Sequence, residues 1–491
     1  MRIKVVTCFF AIACLILSGC QKYQARPLIE RDVVLKIDQA RQFPDGALES
    51  GTIDLDIPVK DKIVFSLKRA TELMKVHSPV LLEVRSEYET ALALAKVKTP
   101  LPNPGFEVGP QVGFGPDMGP SSKLTPFASF GFAIPTGRRL KRQDELNQIS
   151  AEMARIEAVV RHRELYLDLR KIYTRLALAN ARLEARKNIA ASAEQSVSVG
   201  KRLIEAGQGT ALDNGLLELE HGRLRTELAN AENEKVRTEG DLSLLIGVHT
   251  DHFQMLPEPA LPEIPENVPP LNELKSLLIL NQPQLARLRA RYEVAERQLH
   301  LEIARQYPDF RIGPSFDRET GDRKSVLGLT LGIDIPVFDR NQQAIATAMT
   351  MREEIRAKYE AGANRALADL ERAWRSYNLS VGKLKLIREV LLPKAKANIE
   401  LVRKSLEAGA TDALRFLETE RGQRAVMIEA IEAEISVRES LVEVEQASGY
   451  PLVLFPSEEQ RDMPDLQESP HTGVRTPSTT PRPESDEPKG N

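Results

Sequence analysis

The chain has 491 residues, with 67 Lys plus Arg against 70 Asp plus Glu and a formal net charge of −3. That near balance lacks the basic footprint a nucleic-acid binder needs. The three cysteines, Cys8, Cys14 and Cys20, all lie at the extreme N-terminus and leave none for a disulfide framework or a zinc site in the body of the protein.

Arg2 and Lys4 precede the apolar run VVTCFFAIACLIL, which is followed by Leu17-Ser18-Gly19-Cys20. This is the layout of a secretory signal peptide over residues 1–19, and the run is too short to span a bilayer as a permanent helix. The LSGC stretch also resembles the bacterial lipobox, which implies cleavage before Cys20 and acylation of that residue, with palmitate among the chains. Gln21 in place of Asp then favours sorting to the outer membrane. The alternative is an ordinary signal peptide, or an uncleaved anchor, with a chance cysteine. Residues 20–64 read as an extended lead-in without an assigned role.

From residue 65 the pattern becomes regular. An opening helix carries Ser78-Pro79, an N-cap position followed by proline at the first helical position. A β-hairpin is expected at about 104–136, with Phe106, Val108, Val112 and Phe114 alternating in its first strand and Phe130, Phe132 and Ile134 in its second. Between Arg142 and Ala206 there is no proline and only one glycine, Gly200. A helix of that length reaches roughly 100 Å at about 1.5 Å per residue. Glu-Ala-Gly207 then ends it where glycine tolerates the left-handed conformation. Thr210 caps the next helix, and Asp213 suits its positive end. The returning helix runs to Gly247, so the helical hairpin covers about 142–247 and the unit 65–252.

After a proline-rich linker at 253–270, the same order recurs over 271–452. The β-hairpin is expected at about 309–337 and the helical hairpin at about 341–449, turning at Gly409 and Thr411 with Asp412 beside them. Pro79 and Pro283 stand 204 residues apart, as do Gly109 and Gly313; Gly207 and Gly409, and Gly247 and Gly449, stand 202 apart. Landmarks that keep their order and nearly their spacing predict an internal repeat. Residues 453–491 are rich in Pro, Ser, Thr and charge and are expected to be disordered.

Helices this long need partners along their length. Ile428, Ile431, Ile435 and Val442 form one apolar stripe, Leu212, Leu216 and Leu219 a second, and Leu217, Leu224 and Leu228 a third. A generic rod explains these stripes fully. In the second β-hairpin, Leu327, Leu329, Leu331, Ile333 and Ile335 alternate with Gly328, Thr330, Gly332 and Asp334. Length and alternation fit a transmembrane strand, and a half-buried soluble hairpin looks alike. If the strands are in lipid, four per chain cannot close a sheet, so several copies must share one barrel.

The lipobox, the two copies of helix, β-hairpin and long helical hairpin, and the recurrent Glu-Ala-Gly turn together resemble the outer-membrane efflux protein family, the TolC family, from about Phe65 to Gly449. VFSLKRATELMKVHSPVL is similar to that family's opening helix and DIPVFDRNQ to its second strand-to-helix passage. The resemblance implies a mostly α fold with a membrane β-barrel, a homotrimer with twelve strands in one barrel, and a periplasmic α-helical tunnel. It further implies a passive efflux conduit in the outer membrane, docked to a periplasmic adaptor and an inner-membrane pump. The turns Gly207, Thr210, Gly409 and Thr411 then lie at the periplasmic mouth. Asp213 falls where the family places acidic aperture residues, whereas the equivalent position in the second copy is Arg415, with Glu418 three further on. Asp213, Asp412, Arg415 and Glu418 are therefore the candidate aperture residues, with capping and solvated helix surface as the alternative.

No converging acid, base or nucleophile motif is present, so no enzyme and no cofactor are expected. His249, Asp251 and His252 form the one tempting metal-ligand group, without a paired cluster elsewhere. Type I protein secretion, or a periplasmic coiled-coil adaptor or structural lipoprotein, remain as alternatives to export of small molecules or metal ions.

Overall fold

The computed structural model describes residues 25, 27–41, 63–64, 67–112, 124–205, 210–249, 253–254, 264–265, 268–318, 325–407 and 413–452. The expectations for the signal peptide, Cys20 and the 453–491 tail fall outside these residues. Helix α1 (Glu30–Arg41) comes first. It corrects the expectation of an extended lead-in: Glu30 and Asp32 sit in its first turn, where carboxylates favour helix formation.

The main body begins with α2 (Leu67–His77) and α3 (Pro79–Lys96), then β2 (Gly105–Val112) and β3 (Leu124–Ile134). The helical hairpin of α4 (Arg139–Glu205) and α5 (Ala211–Ile246) follows. β1 (Ile63–Val64) pairs in parallel with β4 (Phe253–Gln254), so the proline-rich linker starts as a short bridge back to the lead-in. The order is then repeated with α6 (Leu271–Asn281), α7 (Pro283–Ala304), β5 (Phe310–Arg318), β6 (Ser325–Ile333), α8 (Gln342–Leu386), α9 (Leu392–Glu407) and α10 (Ala413–Ser448). A π-helical turn, Ile387–Leu391, joins α8 to α9. Pro393 accounts for it: proline has no N–H and its ring clashes with the carbonyl four residues back, so the helix widens. α4 contains no proline and runs unbroken for 67 residues.

Two apolar clusters hold the helices together. In one, Leu73 and Met74 of α2 pack with Leu169, Tyr173 and Leu176 of α4 and with Leu242 and Ile246 of α5. In the other, Leu274 and Leu278 of α6 pack with Ala373 and Tyr377 of α8 and with Val437, Leu441 and Val444 of α10. The members correspond: Met74 and Leu278, and Tyr173 and Tyr377, are 204 residues apart. Burial pushes the Tyr173 phenol up to about 12.

The helix ends are fixed by close approach. Gly247 and Gly449 have φ of +77° and +70°, and a Cβ there would fall 2.2 Å from the His77 carbonyl oxygen and 2.3 Å from that of Asn281. Each returning helix therefore ends against the opening helix pair of its own half. Ser78 occupies the expected N-cap position but its hydroxyl makes no cap hydrogen bond, whereas the Gln282 side chain accepts one from the Leu285 N–H.

The apolar stripes differ in part from the sequence reading. In α10 the fully buried seam is Ala433, Val437, Leu441 and Val444, with Ile428, Ile431 and Ile435 half-buried. In α5 Leu224 is buried, while Leu212 and Leu219 are 73% and 72% exposed. α5 packs chiefly on α4, with α2 meeting its C-terminal end, and among the described residues Leu212 and Leu219 are left outside both contacts.

Candidate functional site: an apolar sheet face and two helical hairpins

β2, β3, β5 and β6 form one antiparallel sheet in that order, with β2 and β6 as its edges. Phe106 lies opposite Phe130. Phe310 lies between Ile134 and Ile333, and Ile312 between Phe132 and Leu331. Since alternate side chains share a face, one face carries Phe106, Val108, Phe130, Phe132, Ile134, Phe310, Ile312, Leu327, Leu329, Leu331 and Ile333. The other carries Glu107, Ser129, Gly131, Arg311, Ser315, Thr330 and Gly332, and there Arg311 pairs with Asp334 at 2.5 Å. The apolar face is uncovered: Leu327, Leu329 and Leu331 are 80%, 74% and 71% exposed. Among the described residues no helix is long and apolar enough to cross a membrane. The sheet thus presents an apolar surface large enough to call for a partner beyond the described residues.

The strands leave the sheet into its helices through two built passages. After β3, Gly137 and Arg138 both adopt positive φ, and the Gly137 Cα approaches Ala304 and Tyr307 too closely for a side chain. The Thr136 hydroxyl donates to the Pro308 carbonyl at 2.5 Å, and Arg139 pairs with Asp309 at 2.9 Å. After β6, Asn341 takes the left-handed conformation that asparagine tolerates, and its amide donates to the Glu302 carbonyl at 2.9 Å and carboxylate at 2.8 Å. On the β2 side, Asp144 accepts from the Thr99 hydroxyl and backbone N–H at 2.6 and 2.7 Å, bonds that hold its carboxyl below the usual range.

At the far ends of the hairpins the picture is partial. Gly207, Gly409, Thr411 and Asp412 lie outside the described residues. Thr210 immediately precedes α5, and Asp213 belongs to that helix's first turn. Arg415 and Glu418 are exposed on the first turns of α10. Near the first tip, Gly200 admits Asn214 and Leu217 against α4, which gives the single glycine of that helix a packing role. His249 is exposed and its companions Asp251 and His252 lie outside the described residues; among the described residues no group of acidic, His or Cys side chains is arranged to hold a metal.

The two hairpins are joined by charged groups that the sequence reading passed over. Arg170 of α4 pairs with Glu445 of α10 at 2.5 Å, and their side chains are only 6% and 3% exposed. The other Glu445 oxygen accepts from the Leu452 N–H at 3.1 Å. Arg175 pairs with Glu439 one and a half turns on, and Arg182 with Glu432 at 3.8 Å. Closer to the tips, Glu220 of α5, 5% exposed, binds Arg421 at 2.5 Å and Arg424 at 2.7 Å on α10. Burial alone raises the Glu220 carboxyl, but Arg421, Arg424 and Arg223 together outweigh it and hold it below its ordinary value. Charged residues at positions that helical periodicity turns inward were the available signal.

Residues 274–450 match the family model described as outer membrane efflux protein. That stretch, in the second half of the chain, is similar to the outer membrane efflux protein family. The chain is 24% identical, over 280 residues, to the cobalt-zinc-cadmium resistance protein CzcC of Cupriavidus metallidurans; the match covers 55% of the chain and 66% of CzcC, just under two thirds of that relative. Its fold is that of a crystallised membrane protein from Pseudomonas aeruginosa (TM-score 0.66, 18% identity, 82% of this chain and 97% of that one). It is likewise that of the CmeC outer membrane channel of Campylobacter jejuni (TM-score 0.64, 11% identity, 91% and 97%).

Proposed function

We propose that three copies of this chain close a twelve-stranded barrel in the outer membrane. The barrel continues into a periplasmic tunnel of helices, through which a pump and adaptor export metal ions or small molecules. The observation that carries the reading is the exposed apolar face of a four-stranded antiparallel sheet with two open edges. An open edge in lipid leaves backbone groups unpaired. β2 and β6 run antiparallel to each other, so pairing β6 of one copy with β2 of the next continues the pattern without a break.

The helices support the same closure. Within the chain α7 packs between α4 and α8, and it buries Leu285, Ala295, Leu299 and Leu301. α3, its counterpart in the first half, packs on α4 but buries no residue. A groove of about 410 Å³ remains beside it, lined by Leu81, Val84, Tyr88 and Val159. In a ring, α8 of the neighbouring copy covers α3 as α8 covers α7 within one chain. The matching order of elements and the 202- to 204-residue offsets support duplication of one unit, with the halves spanning 65–252 and 271–452. Similarity to CzcC favours metal ions among possible cargoes. The hairpins converge in one sheet instead of forming a compact β domain between helical arms, which argues against a periplasmic adaptor.

The test is cysteine pairing between the edges, Glu107→Cys on β2 with Thr330→Cys on β6, in membranes. Oxidation is expected to produce covalent dimers and trimers in SDS, with trimers as the upper limit. A chain that purifies as a soluble monomer without detergent would sink the proposal. At the periplasmic mouth, Asp213, Asp412, Arg415 and Glu418 then form a mixed-charge aperture, and Arg415→Glu is expected to change single-channel conductance or dye leakage. Unchanged values would return these residues to helix capping. Acylation at Cys20 anchors the chain in this reading; the mass of the mature N-terminal peptide tests it.

A further inference from the structure

The four strand-to-helix junctions lie at one end of the sheet, since Ile134, Phe310 and Ile333 stand abreast in the register. Around that end a second pattern appears. The apolar alternation of β6 continues past the strand to Ile335 and Val337, and Phe338 follows with 91% of its surface exposed. Tyr307 beside β5, and Val97 and Leu101 before β2, are exposed at the same end.

Between these apolar groups stand Lys96, Lys98, Arg138 and Arg340, all exposed and, among the described residues, none in an ion pair. The carboxylates at this level are already engaged: Asp144 by Thr99, Asp309 by Arg139, Glu302 by Arg305 and Asn341, and Asp339 by the Asn341 N–H. In a chain whose net charge is −3, a collar of exposed cations outside ion pairs is a local feature and not a reflection of composition; Arg340 Nε donates to the Pro336 carbonyl at 3.1 Å, and Lys98 lies near enough to Asp144 for its charge to help lower that carboxyl.

We propose that this collar binds the anionic headgroups of glycerophospholipids in the leaflet that meets the base of the sheet. The inference rests on the membrane reading above and adds a lipid class and a site to it. Two arguments select lipid. The apolar groups are continuous with the apolar sheet face, so acyl chains that cover the sheet end at this level. Aromatic rings then lie at headgroup depth, and lysine and arginine reach past the apolar boundary to place charge against phosphate. Each cation near an anionic surface contributes about a fivefold gain in lipid partitioning. Passages locked by Thr136, Arg139 and Asn341 hold the collar in register with the sheet.

The experiment uses the full chain inserted into vesicles of phosphatidylcholine alone, or of phosphatidylcholine with phosphatidylglycerol. Insertion is read by protease protection, and co-purifying lipid by mass spectrometry. Wild type is expected to insert into both and to retain phosphatidylglycerol at least tenfold above its share of the bilayer. The Lys98→Gln, Arg138→Gln, Arg340→Gln variant is expected to insert equally and lose that enrichment. Lys394→Gln with Lys396→Gln, on α9 away from the sheet, is expected to keep it. Enrichment that survives in the triple variant, or is absent in wild type, overturns the proposal. Failure of wild type to insert into either vesicle overturns the membrane reading, and this site with it.

Discussion

Glu445 is where the two halves of the chain are most deeply coupled, and its replacement by Ala tests that coupling. One carboxylate oxygen serves the buried Arg170 guanidinium and the other the Leu452 N–H. Burial also pulls down the nearby Arg163 guanidinium, and the Glu445 charge opposes that shift. Glu445→Ala therefore leaves two cations in a low-dielectric site and an unsatisfied amide. Breaking a buried pair from one side costs about 3–5 kcal/mol, and orphaning an amide about 1–3 kcal/mol. These overlap because both groups lose the same partner, so we expect about 4 kcal/mol in total. At about 0.8 kcal/mol per degree for a body of this size, the midpoint falls by about 5 °C. Thermal melts followed by helix circular dichroism in detergent measure it. Glu445→Gln keeps the Leu452 acceptor and should lose about half as much; Arg170→Met with Glu445→Gln removes the stranded charge and should recover most of the loss. A Glu445→Ala midpoint within 1 °C of wild type, or a double variant less stable than the single one, would refute the reasoning.

Glu220 gives a pH-dependent counterpart. Its folded carboxyl lies below the ordinary value of 4.5, so its stabilisation is present in full above that value and lost as pH falls through the lower folded value. Hydrogen exchange along α5 and α10 near Glu220 should rise in that acid window in wild type, while Glu220→Gln should show the raised exchange already at neutral pH; identical pH profiles would count against the clasp. Gly449→Ala must place a Cβ 2.3 Å from the Asn281 oxygen at φ +70° and should cost at least about 2 kcal/mol in a melt. Gly222→Ala, in open space on α5, should instead stabilise by about 1 kcal/mol. Leu329→Arg on the apolar sheet face should cost about 2–4 kcal/mol and reduce the yield of heat-resistant oligomer, while Thr330→Lys on the opposite face should be tolerated.

Local rules were enough to read much of this chain from its residues. Strand alternation, proline at the helix starts and glycine at the helix ends depend on neighbours two to four positions away. These placed the four strands, the α3 and α7 starts at Pro79 and Pro283, and the ends at Gly247 and Gly449 close to where they are observed. The offset between halves also stood in the sequence, because it required only comparison of the chain with itself. The π-helical turn was locally encoded by Pro393, but its form depends on the surrounding helix continuing instead of breaking there.

Other features depended on which faces meet. Leu212 and Leu219 carry the same periodicity as Leu224, and only the position of α4 makes one stripe a core and leaves the other exposed. Arg170, Glu445 and Glu220 fall at inward positions of their helices, but which charge meets which, across 275 or 201 residues, leaves no trace in the sequence. The sequence by itself determined the elements, their order and the apolar face of each strand, since these follow from backbone geometry and short-range chemistry. Only the tertiary structure decided that four strands form one sheet with two open edges, that its apolar face stays uncovered, and that the hairpins are joined by buried charge. Those outcomes are set by long-range packing, where burial of one surface fixes which other surface remains for lipid or a neighbouring copy.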